Sequence, residues 1–331
     1  MKKERKLLNK NTVTILMVAV LYAIVSVMVY GGTASRQLSN MLIPISVYIV
    51  LAVSLNLVVG LLGELSLGHA GFMSVGLFSG CLISIALADI LPAVVRLPAA
   101  MICGGVFAAV AGLIVGLPAL RLRGDYLAIV TLACGEIIKN VMNNLKITGG
   151  ALGLTTTAVY SRTTDLLPYA IVLVFLTILA MMNLKKSKCG RAIMAIRDNR
   201  IAAESVGINV TYYKLAVFMI AAFFAGAAGT LYGHNFANIK PATFDYNMSI
   251  EILVIVVLGG MGSVRGSIIA AIILTALPEM LREFSDYRML AYSIVLIVMM
   301  LFNFSPAFAS LKEKLSIGNL LKKKNKETEE D

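Results

Sequence analysis

The sequence predicts an all-α integral membrane protein with about ten transmembrane helices. Three observations support this fold class. Apolar residues make up 59% of the 331 residues and charged residues only 14%, which leaves too little polar surface to cover a soluble core. Apolar segments of spanning length recur along the whole chain. Lysine and arginine fall mainly on one side of these alternating segments, as the positive-inside rule requires.

Ten apolar segments are predicted membrane spans, since about 20 apolar residues cross the hydrocarbon core. The fifth is interrupted by Glu136 and Lys139, and the eighth is short. In order, the predicted spans are residues 12–30, 41–60, 71–90, 97–118, 125–143, 165–184, 212–236, 247–260, 265–281 and 288–304.

The distribution of basic residues predicts that both termini lie in the cytoplasm. With ten alternating spans, 20 of the 29 Lys and Arg residues lie inside and 7 outside. The net charge of +11 therefore reports topology and does not indicate nucleic-acid binding. We expect a cytoplasmic tail at 1–11, a transmembrane domain at 12–304 with a cytoplasmic loop at 185–211, and a charged cytoplasmic tail at 305–331.

The stretch NLVVGLLGELSLGHAGFMSVG, residues 56–76, places glycines and polar side chains inside apolar sequence. Broken backbone at membrane depth is tolerated only where protein buries it or a water-filled cavity adjoins it. The stretch therefore predicts a broken helix or re-entrant turn beside a pathway, near a cytoplasmic gate. Glycine and serine are also ordinary helix-packing residues, so a purely structural role stays open. The gate candidates here are Asn56, Gly63, Glu64, Ser66, Gly68 and His69.

The remaining polar residues within the spans are few. A lone histidine such as His69 is more often a hydrogen-bonded structural residue than a pH switch. Glu136 and Lys139 are three residues apart, so we expect an ion pair between them. Glu136 and Glu251 are further pathway candidates, because carboxylates within spans are costly and usually have a function. The segment GGMGSVRGS predicts close backbone approach, and its glycines Gly259, Gly260 and Gly262 complete the set of pathway and gate candidates.

The internal loop predicts two short helices separated by a turn. Apolar residues recur at helical spacing within residues 191–197, and the residues RDN then supply a turn or helix cap. A second helix follows and ends at Gly207, where glycine can adopt the left-handed conformation. We interpret the pair as a docking surface, because a loop that only fixes topology needs no helical face. Its candidate contact residues are Gly190, Arg191, Ala195, Arg197, Asp198, Ala202, Ala203, Glu204, Gly207 and Ile208.

Four motifs in order now point to a family. They are GELSLGHAGFMSVG, GDYLAIVTLACGEIIKNV, GRAIMAIRDNRIAAESVGINVTYYKLAVF and EILVIVVLGGMGSVRGSIIAA. Together they resemble permeases of ATP-binding-cassette importers of the branched-chain amino acid type, from about residue 40 to 303. The similarity is to the LivM-like member of the LivH/LivM permease pair. The end of the last span departs from the family pattern, because FNFSPAFAS follows it.

The resemblance implies a fold, partners and a location. The implied fold is the type II, vitamin-B12-importer-like permease fold with inverted repeats, in the bacterial cytoplasmic membrane. The implied partners are a LivH-like permease, two cytoplasmic LivG/LivF-like ATPases and an external amino-acid-binding protein, with membrane lipid around the helices. AAESVG, residues 202–207, resembles the loop by which such permeases dock onto their ATPases. The chain lacks G-x-x-x-x-G-K-[ST], so ATP and magnesium are expected on the partners and no cofactor in this chain.

The expected function is a permease subunit that moves branched-chain or related amino acids inward by alternating access. No nucleophile–base pair, metal cluster or disulfide spacing occurs, so we predict no enzymatic activity, no metal and no nucleic-acid partner. An ion-coupled secondary transporter is the alternative, although acidic residues are sparse. A permease for another small solute, such as urea or short amides, also remains open, as does a non-transporting scaffold. The sequence leaves a homodimeric or heterodimeric permease assembly open as well.

Overall fold

The computed structural model describes residues 10–32, 35–122 and 124–280, with residues 290, 293–294, 296–298 and 301. The predicted tails and the predicted tenth span lie almost entirely outside the described residues. The chain divides into two compact units, Met1–Ala276 and Leu277–Asp331. All contacts described below lie within the first unit.

Helices form nearly all of the regular structure in the described ranges. Each predicted span from the first to the ninth coincides with a helix to within a few residues. The helices are α1 (Lys10–Tyr30), α2 (Arg36–Asn56), α3 (His69–Ala86), α4 (Ala93–Ala119), α5 (Asp125–Asn144), α6 (Thr163–Lys186), α7 (Lys188–Asp198), α8 (Arg200–Ser205), α9 (Val210–His234), α10 (Tyr246–Gly259) and α11 (Val264–Met280).

Five of the described helices are long and apolar enough to cross a membrane: Gln37–Leu62, His69–Ala86, Ala93–Ala119, Thr163–Lys186 and Val210–His234. Two shorter apolar helices are Met17–Tyr30 and Tyr246–Gly259. These helices confirm a mostly helical, multi-pass membrane protein. The number of ten spans and the type II importer fold stay predictions.

The core of the first unit is built by α3, α4 and α9, which pack closely against one another. Small residues permit this approach. A Cβ added at Gly76 of α3 would lie 2.1 Å from the Cα of Gly226 in α9. The buried hydroxyl of Thr230 donates to the Gly76 carbonyl at 2.9 Å. A Cβ added at Gly104 of α4 would lie 2.6 Å from the same Gly76 carbonyl oxygen. The three backbones are therefore closely packed, and the polar hydroxyl between them is satisfied.

Helix α2 lies against α6, α9 and α10 and is buried along most of its length. At the end of α3 and α9 that lies away from the α2–α3 connection, two short strands join two connections that are far apart in sequence. β1 (Leu154–Thr155) pairs antiparallel with β2 (Asn238–Ile239), and Leu154 is opposite Ile239. The α5–α6 connection is thereby fastened to the α9–α10 connection.

Candidate functional site

The predicted break after α2 is present and has a specific form. The helix continues past Asn56 as a π-helical turn, Leu57–Leu62, and ends at Gly63, whose φ of 79° is left-handed. The amide of Gly63 donates to the carbonyl of Val58. Residues 63–68 have no regular secondary structure, and α3 begins at His69. Gly63 is required here because residues with a Cβ rarely adopt this φ.

Asn56 joins this break to the glycine-rich loop between α10 and α11. Its side chain is fully buried. The Oδ1 atom accepts from the Gly262 amide at 2.7 Å. The Nδ2 group donates to Ser267 Oγ at 2.8 Å and to the Ser263 carbonyl at 3.3 Å. Asn56, a predicted gate residue, therefore forms three bonds to a segment about 200 positions away in sequence.

The two glycine-rich segments, 56–68 and 259–267, touch directly, and we call them the glycine hub. A Cβ added at Gly60 would lie 2.2 Å from the Gly262 nitrogen. Within the second segment, Gly260 and Gly262 have φ of 90° and 80°. Close approach is found at Gly259, where an added Cβ would lie 2.6 Å from Gly266, and at Gly262, but not at Gly260, whose nearest neighbour would be Ser263 at 3.8 Å. The sequence had given no sign that Gly262 lies against Gly60.

Side chains of neighbouring helices hold the loop at residues 63–68. The Leu67 amide donates to Thr131 Oγ1 of α5 at 3.0 Å. Just beyond the loop, the Ala70 amide donates to Ser249 Oγ of α10 at 3.2 Å. His69 is buried, and its Nε2 atom is 2.9 Å from Ser54 Oγ, which confirms the prediction of a hydrogen-bonded histidine. Sequence reasoning missed Thr131 and Ser249, since a hydroxyl residue in a span carries no distinctive pattern.

Glu64, the one carboxylate of the loop, forms an ion pair with Lys214 of α9. The two side chains are only 14% and 5% exposed. Removing one partner of such a buried pair would leave an uncompensated charge. Lys214 had no role in the sequence-based prediction, because its partner is 150 positions away.

The predicted helices of the internal loop are confirmed as α7 and α8, and we call them the α7–α8 projection. Asn199 caps α8, since its side chain accepts from the Ala202 amide at 3.0 Å, and Gly207 has a φ of 84°. Ile196, Ala203 and Val210 form a small apolar core.

The side of the projection that faces away from this apolar core is exposed. Ile201 and Val206 are 77% and 75% exposed. Of the ten predicted docking residues, Gly190 and Ala203 are buried and Ile208 is half-buried. The other seven are exposed: Arg191, Ala195, Arg197, Asp198, Ala202, Glu204 and Gly207.

Two basic side chains bond to the hub, one from the projection and one from the end of α6 that precedes it. Arg197, the last-but-one residue of α7, donates from Nη1 to the Gly60 carbonyl at 3.3 Å. Lys185, near the end of α6, donates to the Gly262 carbonyl at 3.1 Å. Between hub and projection lies a cavity of about 240 Å³, walled by both Glu64 and Arg197. The predicted gate residues and docking residues therefore meet.

The other two predicted pathway carboxylates lie on α5 and α10. Glu136 pairs with Lys139, which confirms the predicted ion pair, and also accepts from the Tyr246 amide at 2.8 Å. Its neighbour Gly135 lies against the hub, since a Cβ added there would be 3.6 Å from the Gly68 Cα. Glu251 accepts from Tyr48 at 3.2 Å. These bonded partners of the two carboxylates all lie outside the segments 56–68 and 259–267.

The fold and the site define a multi-pass helical membrane protein in which an exposed two-helix projection is bonded to a broken helix. Residues 37–303 match the family described as branched-chain amino acid transport system / permease component. The chain belongs to this family, and the resemblance based on the four motifs is thereby confirmed.

Two relatives carry the name high-affinity branched-chain amino acid transport system permease protein LivM. The Salmonella typhimurium protein is 37% identical over 290 residues, 77% of this chain and 66% of its own length. The Escherichia coli protein is 35% identical over 308 residues, 82% of this chain and 70% of its own. The permease protein LivH of Escherichia coli is 32% identical over 104 residues, 31% of this chain and 33% of its own. The chain thus spans about two thirds of the LivM relatives it matches.

Proposed function

We propose that this chain is a transmembrane permease subunit of an ATP-binding-cassette importer for branched-chain amino acids. The single observation that carries the proposal is the family match, which extends from the first turn of α2 beyond α11. The relatives named LivM support the substrate class. In this proposal residues 12–304 form the permease domain, and the tails at 1–11 and 305–331 lie in the cytoplasm.

The proposed assembly pairs this chain with a second, LivH-like permease. Similarity to both LivM and LivH relatives supports two related subunits in one pathway. Two LivG/LivF-like ATPases would bind ATP and magnesium, and an external binding protein would deliver the amino acid. This chain would hydrolyse no ATP itself.

The α7–α8 projection, within the loop at 185–211, is the proposed ATPase-docking surface. Exposed apolar residues on a soluble projection are costly unless a partner covers them, and Ile201 and Val206 are both exposed. An exposed ion pair between Arg200 and Glu204, 2.8 Å apart, borders them. An apolar centre with a charged rim is the usual anatomy of a protein interface.

The proposed cycle is alternating access. ATP binding brings the ATPases together and moves the projection, and the hub at the predicted cytoplasmic end of α2 and α3 then opens or closes the pathway. In this proposal the hub changes between two arrangements by exchanging the bond between the Asn56 side chain and the Gly262 amide, beside the backbone contact of Gly60 and Gly262. In this proposal substrate selectivity resides mainly in the binding protein.

The test is co-purification with the cognate ATPases, combined with uptake of labelled leucine. In the double variant Ile201→Asp, Val206→Asp, we expect ATPase recovery and uptake to fall together, because the apolar centre of the interface is lost. Leu152→Asp is the matched control. Leu152 is 83% exposed but lies on the opposite, predicted outer side, so ATPase recovery should stay at the wild-type level.

The alternatives give different results. Leucine uptake by the wild type without any bound ATPase, driven by an ion gradient, would favour a secondary transporter. Competition of leucine uptake by urea or a short amide, but not by valine, would reassign the substrate class. Folded wild-type protein that neither binds ATPases nor transports would favour a scaffold.

A further inference from the structure

Arg197 meets a backbone group that the broken helix leaves without a partner. The last carbonyls of a helix have no amides to accept from. Gly63 ends the π-helical turn, so the Gly60 carbonyl is one of these groups, and Arg197 Nη1 donates to it at 3.3 Å. A cation is also favourable at this position, because the helix dipole places partial negative charge there.

The guanidinium group of Arg197 is oriented by its neighbour. Its Nε and Nη2 atoms donate to Asp198 Oδ1 at 3.1 and 2.9 Å. This leaves Nη1 directed at Gly60. The planar guanidinium group of an arginine can donate to two acceptors at once in a fixed geometry. A lysine ammonium group cannot reproduce that arrangement.

The stem of Arg197 lies on the turn itself. A Cβ added at Gly63 would be 2.6 Å from Arg197 Cγ. Gly63 therefore has two functions: its φ ends the helix, and its missing side chain makes room for the arginine. Both segments contribute to the contact, because Gly63 of the loop leaves the space and Arg197 of α7 supplies the guanidinium group.

The end of α6, which leads into α7, reaches the second half of the hub. Lys185, near the end of α6, donates to the Gly262 carbonyl, while Arg197, near the end of α7, donates to the Gly60 carbonyl. Gly60 and Gly262 are in contact with each other. The chain just before α7 and the C-terminal end of α7 are thus bonded to the two sides of one glycine–glycine contact.

We propose that Arg197 is a positioning residue that fixes the broken end of α2 to α7, so that movement of α7 is transmitted to the Gly60–Gly262 contact. The inference rests on the proposed function, because it assumes that ATPases move the projection. It assigns Arg197 to the inner face of the projection, toward the hub. A residue of the docking surface would instead face the ATPases. The Glu64–Lys214 pair cannot replace this connection, since Lys214 belongs to α9.

The first test measures transport by the complete complex with its second permease and ATPases. In Arg197→Ala we expect ATPase recovery and ATP hydrolysis close to wild type, but leucine uptake per ATP reduced about fivefold or more. Arg197→Lys, which keeps the charge but not the planar guanidinium geometry, should give a value between those of the wild type and Arg197→Ala. The matched control is Arg121→Ala, an exposed arginine on the same predicted side, with unchanged coupling.

Two results would overturn the inference. Wild-type uptake per ATP in Arg197→Ala would show that the contact transmits nothing. Loss of ATPase recovery in the same variant would make Arg197 a docking residue. If the wild type itself recovers no ATPase, the proposed function fails and the transmission role fails with it.

A second measurement reports the attachment without transport. Spin labels at Leu65 and Val206, both exposed, would be placed in a variant whose four native cysteines are serine. The distance distribution between them should broaden in Arg197→Ala and remain as in the parent in Arg121→Ala. An unchanged distribution in Arg197→Ala would show that Arg197 does not hold the projection to the hub.

Discussion

The α3–α4–α9 core and the glycine hub both depend on glycine, but for different reasons. In the core, Gly76 and Gly226 sit in regular helices, and glycine only allows the backbones to approach. In the hub, Gly63, Gly260 and Gly262 have positive φ, the helices end, and polar side chains replace the missing helical bonds. Regular helical bonds surround the core glycines, whereas in the hub side-chain bonds take the place of helical backbone bonds. The comparison separates glycines that allow helices to pack closely from glycines that end helices.

The largest effect is expected in the core. Gly76→Ala would place a methyl group 2.1 Å from the Gly226 Cα, where neither backbone can yield, so overpacking should cost about 3 kcal/mol or more. We expect almost no monodisperse protein by size-exclusion chromatography in detergent. Gly135→Ala is the control, since its Cβ would have only ordinary contacts, the nearest at 3.6 Å. Equal yields of the two variants would contradict tight packing at Gly76.

The next largest effect concerns the buried ion pair beside the hub. Lys214→Met should lower the free energy of unfolding by roughly 3 kcal/mol, because Glu64 would remain buried without its partner. Thermal unfolding of the purified protein measures the loss. The double variant Lys214→Met, Glu64→Leu should recover at least half of it. A double variant that is less stable than Lys214→Met would show that Glu64 has another essential partner.

Asn56→Leu tests the hub itself. The substitution removes three hydrogen bonds and leaves the Gly262 amide without its acceptor, so the unfolding free energy should fall by about 2 kcal/mol. Leucine uptake should fall by more than this loss of folded protein explains, because the two sides of the hub separate. Asn183→Leu, at an exposed position of α6, should change neither. Uptake that only follows protein yield would make Asn56 a purely structural residue.

The smallest effect is expected on the exposed rim of the projection. Arg200→Ala breaks an ion pair whose side chains are 32% and 48% exposed, so stability should change by only about 0.3 kcal/mol. The affinity for the ATPases should fall modestly. The fall should be larger at low salt, because at higher salt ions screen the charges of the rim. A shift of several degrees in the unfolding temperature would show that this pair supports the projection's fold.

The sequence predicted the helices well because hydropathy and helix caps are local signals. The short α10, the turn at Asn199 and the Glu136–Lys139 pair are all set by residues within a few positions of each other. A break near Gly63 could also be predicted, because glycines and a carboxylate interrupt an apolar run.

The partners across the hub could not be predicted. Asn56 binds Gly262, Glu64 binds Lys214, and Arg197 binds Gly60, and each pair is more than 130 positions apart. Such pairs follow from the packing of whole helices, which a local pattern does not encode. Arg197 was selected as a docking residue with Asp198, but nothing in its pattern indicated that it faces inward to the hub.

The π-helical turn at Leu57–Leu62 has a consequence for the evolution of this stretch. A π-helical turn accommodates one residue more than an α-helical turn. Deleting a single residue there would remove that extra residue and with it the bond from the Gly63 amide to the Val58 carbonyl that closes the wide turn. Gly60 is restricted in a second way, because an added Cβ would lie 2.2 Å from the Gly262 nitrogen. Related sequences should therefore keep the length of this stretch and the glycine at position 60, while the apolar residues beside it replace one another.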